Sequence, residues 1–382
     1  MRVAVIIPSF YPALIYGGSI FASYNLTTYA STLNIDIWVS TTNANGRKRL
    51  NVKTNEFISL HKFHVKYYHE NILNLISLKL IFGIYNDIKK SDVIHIQSIF
   101  SYPTPISLLF SKILKKKVLL SPRGSLALWS FKMNGSLKNI WLKTLINPFI
   151  KGIFWHATSL KEKNEILRFF PTANVAIVTD GAIINNRSIS YLNRAKMFET
   201  FNLKDTKYIS CLGRIHPVKG YDLIIKAFPS ILKKFPTMKL LIAGQDEGAK
   251  KDLQLLIKKH HLEKKILFVG QVSGNLKESF LKHSEVLVMP SHTENFGIVA
   301  LESLVNGTPV VASKETPWSI LHEYKAGYWI NNTPSELSSA VISLLSNKSV
   351  NWGENSKLLA INYDWQTIAK KYKSLITQVL ND

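Results

Sequence analysis

Short apolar runs alternate along the chain with longer segments in which apolar residues recur at helical spacing. In the first half the runs fall at residues 3–8, 35–40, 93–97, 117–121 and 154–158. In the second half they fall at 208–213, 239–244, 266–270, 286–290 and 309–312. Each run is apolar at consecutive positions rather than alternate ones. That is the pattern of strands buried on both faces, as in parallel sheets covered by helices. Helical periods lie between them, clearest at 19–33, 221–235, 249–261 and 298–306. The two series predict an α/β chain of two Rossmann-like, doubly wound domains.

A length of 382 residues suits two domains. The expected divisions are an N-terminal domain at 1–184, a linker at 185–206, a C-terminal domain at 207–360 and a terminal helix at 361–382. The linker is polar at Asn185, Asn186, Arg187 and Ser188. The helix carries Trp365, Ile368, Tyr372, Leu375 and Val379 on one face.

Charge narrows the partners. The formal net charge is +23, and residues 1–184 hold 22 Lys and Arg against 8 Asp and Glu. Such a chain is drawn to an anionic surface, substrate or polymer. Lys112, Lys115, Lys116 and Lys117 stand together, and 137–155 mixes Lys138, Lys143 and Lys151 with Trp141 and Trp155. We expect this half to rest on anionic lipid. The single cysteine, Cys211, excludes an intrachain disulfide framework and a cysteine-rich zinc site. The N-terminus lacks the regions of a signal peptide. The longest apolar region, 72–85, is interrupted at Asn74 and Lys79 and is too short to span a bilayer. The expected location is the cytoplasm, at the inner face of the cytoplasmic membrane.

Three loops carry candidate chemistry. Glu294 and Glu302 bracket Phe296-Gly297-Ile298, where a buried strand passes through a loop into a helix. A helix start leaves backbone N–H groups for an anion, and flanking carboxylates accept neutral hydroxyls. The plain alternative is a capping acid and a solvated helix residue. Arg214 and Lys219 share the strand-to-helix loop after 208–213, where a diphosphate would find paired positive charge. A solvated basic loop is the alternative there. Gly17-Gly18 follows the first strand and opens the first helix, so the backbone can approach a phosphate; a plain turn would read the same way. No G-x-G-x-x-G or G-x-x-x-x-G-K-[ST] motif occurs, which removes support from dinucleotide and P-loop readings. Asp-x-Asp, H-E-x-x-H and G-x-S-x-G are also missing.

In this order the motifs resemble glycosyltransferase family 4, the retaining enzymes with the GT-B fold. The resemblance rests on Gly17-Gly18, Arg214 and Lys219, the Ala243-Gly244-Gln245-Asp246-Glu247 element, Glu294 with Glu302, and the strand at 307–312. Ser121-Pro122-Arg123-Gly124 looks like an element of members that build bacterial surface polysaccharides. The resemblance implies two domains facing each other across a cleft, with the C-terminal helix crossing back to the first. It implies a nucleotide-sugar donor as substrate, no cofactor and no metal. Glu302 would hold the ribose, and Glu294 the transferred sugar. The amides of Phe296, Gly297 and Ile298 would meet sugar and phosphates, and Arg214 and Lys219 the diphosphate, with Gly17 and Gly18 also at the donor. Arg123 and Gln97 are candidate acceptor or donor contacts. Gln97 stands where the family often has a histidine, and Asp180-Gly181 where it has Asn-Gly. The implied acceptor is a lipid-linked glycan or oligosaccharide in surface polysaccharide or lipopolysaccharide assembly. A nucleotide-sugar epimerase or sucrose-type synthase on the same fold is the nearest rival. A nucleic-acid-binding protein is the rival from charge alone, and we expect no such partner because no nucleic-acid-binding motif accompanies the charge.

Overall fold

The computed structural model describes residues 1–71, 76–131, 134–184 and 190–382. The chain forms two compact units. One combines Met1–Gly181 with Trp365–Asp382, and the other is Ala182–Asp364.

The first unit is built on an eight-stranded sheet. Its spatial order is Asn174–Ile177, Phe154–Ala157, Lys117–Ser121, Val93–Gln97, Arg2–Ser9, Asp36–Thr42, Phe63–Tyr68, Phe57–Leu60. All neighbours run parallel except the final hairpin. Val3, Val5 and Ile7 face one apolar layer, while Ala4 and Ile6 face another. That two-sided burial explains why the sequence runs are continuous. The helix Gly18–Ser31 and the terminal helix Trp365–Asn381 pack together on the first layer. Trp365, Ile368, Tyr372, Leu375 and Val379 are all buried there. Burying side chains of this size contributes roughly 1.5–3 kcal/mol each, so the terminal helix is an integral part of the first unit.

The second unit holds a six-stranded, wholly parallel sheet. Its order is Ile266–Gly270, Lys239–Ala243, Tyr208–Leu212, Val286–Met289, Val310–Ser313, Gly327–Ile330. From Tyr208–Leu212 the chain winds outward in one direction, and from Val286–Met289 in the other. These two adjacent strands therefore form a switch point, and ligands of open α/β sheets bind at the carboxyl ends of such strands.

All ten apolar runs are strands. Other strands escaped the pattern: the hairpin Phe57–Leu60/Phe63–Tyr68, the edge strands Asn174–Ile177 and Gly327–Ile330, and the two-residue strands Ala44–Asn45 and Lys48–Arg49. The edge strands Phe57–Leu60, Asn174–Ile177 and Gly327–Ile330 are only partly buried. The linker expectation needs correction. Residues 185–189 lie outside the described residues, as do 72–75 of the apolar region 72–85. Within the remainder, Arg194–Thr200 is a helix capped by the Asn193 side chain. Its Met197 and Phe198 are buried beside Tyr208 and Phe280 in the second unit's core. Two apolar positions in seven residues are too few to register as a period.

Candidate functional site

In the second unit, the loop after Tyr208–Leu212 carries Arg214 and Lys219, and the loop after Val286–Met289 carries Glu294. The two loops are joined through the backbone, where the His292 N–H donates to the Val218 carbonyl at 2.8 Å. Gly220 makes this approach possible. Its φ is +63°, and a Cβ there would stand 2.1 Å from the Pro290 carbonyl oxygen. No L side chain fits that gap.

The loop 290–297 is fixed from several sides. Asn332 Nδ2 donates to the Pro290 carbonyl at 2.8 Å and Ser313 Oγ to the Ser291 carbonyl at 2.6 Å. Trp318 Nε1 donates to the Phe296 carbonyl at 2.7 Å. Gly297, with φ +78°, then turns the chain into the helix Ile298–Val305, whose start no side chain caps. Phe296 is buried against Trp318 and Tyr363, so its ring serves the core and only its backbone is placed for a ligand.

Within this frame the structure brings Lys219 and Glu294 into direct contact. Lys219 Nζ donates to Glu294 Oε1, which also accepts from Ser291 Oγ at 3.0 Å. Both side chains are mostly buried. Arg214 is paired differently, with Nη1 donating to Glu247 Oε2 at 2.7 Å, and its side chain is 55% exposed. An exposed pair of this kind contributes about 0–1 kcal/mol, so Arg214 is readily released to another anion. His216, on the same loop, is held below the usual histidine range by burial and by the Arg214 guanidinium.

Glu302 lies on the Ile298–Val305 helix, and its Oε1 accepts from Lys277 Nζ at 2.7 Å. Among the described residues, Oε2 of Glu302 and Oε2 of Glu294 accept no hydrogen bond. Each glutamate of the pair is thus anchored by a lysine through one oxygen and has the other left for a ligand. Neither Lys277 nor Ser291 was singled out from the sequence. Lys277 belongs to a different helix, Gly274–Lys282, and no spacing rule links it to Glu302.

The first unit holds the remaining candidates at carboxyl ends of strands. Gly17 and Gly18 open the helix Gly18–Ser31, with Gly17 at φ +79°. Gln97 ends its strand buried, its Oε1 accepting from Ser23 Oγ at 2.6 Å and from Arg123 Nε at 3.1 Å. Arg123 has φ +56° and pairs through Nη1 with Asp180 at 2.8 Å. Its Nη2 is buried and carries no hydrogen bond. Beneath it runs a buried polar chain. Tyr372 OH meets His95 Nδ1 at 2.8 Å, His95 Nε2 meets Ser121 Oγ at 2.8 Å, and Ser121 Oγ meets His156 Nδ1 at 2.7 Å. His156 Nε2 ends the chain on the Val178 carbonyl at 2.8 Å. A neutral His156 that donates from Nε2 accepts at Nδ1, and burial disfavours charge on both imidazoles. Burial pushes His156 down to about 3 and His95 well below its usual value.

The basic aromatic stretch needs correction in part. Lys138 turns inward, donating to the Ser130 carbonyl between the rings of Phe100 and Phe131, and burial lowers its pKa. Trp155 is a core residue, and Trp141 Nε1 is bonded to the Ile99 carbonyl. What faces solvent is a different set: Leu137, Ile140, Lys143 and Lys151, with Leu109 and Ile113 on the helix Pro103–Ile113 and Phe82 on Leu78–Lys89. Phe82 is 77% exposed. Among the described residues no helix is long and apolar enough to cross a membrane.

Comparison with known proteins fits this geometry. Residues 193–377 match the family model described as glycosyl transferases group 1. This stretch is similar to glycosyl transferases group 1. The matched region contains Arg214, Lys219, Lys277, Glu294 and Glu302. An uncharacterized glycosyltransferase of Methanocaldococcus jannaschii is 35% identical over 178 residues, 44% of each chain. The D-inositol 3-phosphate glycosyltransferase of Corynebacterium urealyticum is 28% identical over 225 residues, 54% of this chain and 52% of the relative. The chain thus matches about half the length of these relatives. Anabaena HepE, solved in complex with UDP and glucose, shares the fold, with a TM-score of 0.74 at 16% identity, over 99% of this chain and all of that one. The architecture is the two-sheet GT-B arrangement of such structures.

Proposed function

We propose that the protein is a retaining glycosyltransferase that moves a sugar from a nucleotide-sugar donor to a lipid-linked or oligosaccharide acceptor. The observation that carries this reading is the switch-point site, where Lys219 and Glu294 meet and Glu302 follows on the next helix, inside the stretch that matches group 1 glycosyltransferases. The names of the matched relatives support a glycosyl transfer, and the UDP complex of HepE, which shares the fold, supports a nucleotide ligand.

The chemistry follows from charge. A diphosphate entering the crevice takes the Lys219 ammonium and the exposed Arg214 guanidinium, so both stabilise the negative charge that grows on the leaving group. Glu294, released from Lys219, accepts hydroxyls of the transferred sugar, and Glu302 Oε2 accepts those of the ribose. The backbone at Phe296, Gly297 and Ile298 lies between these two carboxylates, at sugar and phosphate. In a front-face reaction the bond from the anomeric carbon to the phosphate oxygen breaks. The acceptor oxygen bonds the same face, and its proton passes to the departing phosphate. Two cations on the chain supply this charge stabilisation, so we expect transfer to persist in EDTA. In the first unit, Gly17 and Gly18 are assigned to the donor, and Gln97 and Arg123 to the acceptor or donor.

The exposed apolar and basic residues of the first unit support docking on an anionic bilayer at the cytoplasmic face, where a lipid-linked acceptor of surface polysaccharide or lipopolysaccharide synthesis is found. Between residues 76 and 159 only Asp87 and Asp92 are acidic, and both are occupied within the fold. That surface favours a membrane-bound acceptor over the soluble one of a sucrose-type synthase. Calorimetry with nucleoside diphosphates tests the core of the reading. Binding that is lost in the Arg214→Ala, Lys219→Ala double variant supports it, and absence of binding by any common nucleoside diphosphate overturns it.

A further inference from the structure

Lys277 sits in a closed circuit between two helices of the second unit. Its ammonium lies 2.7 Å from Glu302 Oε1 and 3.4 Å from Glu278 Oε1. Glu278 Oε2 accepts from Asn306 Nδ2 at 2.7 Å, and the same Nδ2 donates to the Glu302 carbonyl at 2.9 Å. The circuit therefore leaves Glu302, crosses to Gly274–Lys282 and returns to the backbone of Glu302. About a quarter of the Lys277 side chain is exposed. Burial by itself would lower its pKa, but the two carboxylates outweigh that and hold it raised.

We propose that Lys277 is a positioning residue that sets Glu302 to read a ribose, making the site discriminate between ribo- and deoxyribonucleoside diphosphates. This rests on the reading of Glu302 as the ribose-holding carboxylate. A glutamate on a helix face samples several rotamers, and freezing it on ligand binding costs affinity. The Lys277 ammonium fixes one oxygen beforehand and leaves Oε2 open to accept. The circuit holds two carboxylates and one ammonium, so it keeps a net negative charge. Such a place suits neutral hydroxyls that donate and repels a phosphate. A carboxylate built to accept from a hydroxyl is left unpaired when that hydroxyl is missing, which is the strong form of discrimination.

The test is calorimetric binding of UDP, GDP and ADP and their 2′-deoxy counterparts to the full chain, using the pair whose ribo form binds best. Wild type should prefer the ribo form by about tenfold or more. In Lys277→Met the ribo form should weaken by about tenfold while the deoxy form hardly changes, so the preference collapses. Lys277→Arg should restore most of it. Equal weakening of both forms, or an intact preference beside a lowered melting temperature, would show Lys277 to be helix glue and overturn the proposal. If Lys277→Met does not fold, Lys277→Gln, which keeps a donor without the charge, is read in the same way. Glu302→Ala, which removes the acceptor, separates the two readings. If it leaves the ribo preference intact, the assignment of Glu302 fails; if it abolishes the preference while Lys277→Met does not, only the role of Lys277 fails.

Discussion

Lys219 and Glu294 form an ion pair across two loops that leave neighbouring strands wound in opposite directions. The pair holds the crevice ready for charge while its own charges are matched. It is more buried than the pair of Arg214 with Glu247, so the two cations should differ when lost. Removing a charge-assisted contact to a diphosphate costs on the order of 1.5–3 kcal/mol. Arg214→Ala and Lys219→Ala should each lower turnover by roughly 10- to 100-fold. Lys219→Ala should also lower the melting temperature, because it strands a mostly buried carboxylate, whereas Arg214→Ala should not. Steady-state rates beside thermal melts check both, and turnover within twofold of wild type for both variants would remove them from the site.

The two glutamates should separate kinetically. Glu302 is assigned to the ribose, which does not react, so Glu302→Ala should chiefly raise KM for the donor. Glu294 is assigned to the reacting sugar, so Glu294→Ala should lower kcat more than it raises KM. Glu294→Gln should recover part of the loss, since an amide oxygen still accepts from a hydroxyl. Normal kcat and KM in both alanine variants would return the pair to a capping or surface role.

Lipid binding should depend on the residues that face outward. Phe82, Ile113, Leu137 and Ile140 present apolar groups, and Lys143 and Lys151 add about 1 kcal/mol each near an anionic surface. Sedimentation with phosphatidylglycerol vesicles should show binding that weakens with salt. Lys143→Glu with Lys151→Glu should weaken it further, and so should Phe82→Ser with Ile140→Ser. Lys138→Glu should instead unsettle the local fold, because that side chain points inward. Protein that stays in the supernatant at low salt would identify the surface as merely solvated.

Acid should destabilise the first unit. His156 is pushed down to about 3 by burial, below its usual 6.5. Below pH 6.5 the unfolded chain takes up a proton that the folded chain refuses, so stability present above 6.5 is lost as pH falls. Between pH 7.5 and 5 this is worth about 2 kcal/mol. Glu165, pushed up to about 7 by burial, acts with the opposite sign over part of that window. The measurement is therefore a difference: the fall in urea midpoint from pH 7.5 to 5, compared between wild type and His156→Gln. The variant, which keeps a donor for the Val178 carbonyl, should show the smaller fall. Equal falls would mean that His156 is not held neutral.

Strands buried on both faces are legible because most of their central positions are apolar, and this is why Arg2–Ser9 and Tyr208–Leu212 stood out. Phe57–Leu60 and Gly327–Ile330, at sheet edges, are four-residue strands that are only partly buried, and did not. At the site, Arg214, Lys219, Glu294 and Glu302 could be read because each occupies a loop or helix start directly after a strand. Lys277 could not, since its partner Glu302 lies 25 residues away on another helix. The inward turn of Lys138 was likewise hidden, because a lysine among aromatics reads the same whether it reaches solvent or a carbonyl.

The central claim is that this chain transfers a sugar from a nucleotide donor. The most direct measurement is a screen of radiolabelled nucleotide sugars for hydrolysis and for transfer to a bacterial lipid extract, run with wild type and Glu294→Ala side by side. The account predicts that one donor gives labelled lipid or free sugar with wild type, and sharply less with the variant. No release or transfer from any donor in the presence of lipid extract, or equal rates for the two proteins, would contradict it.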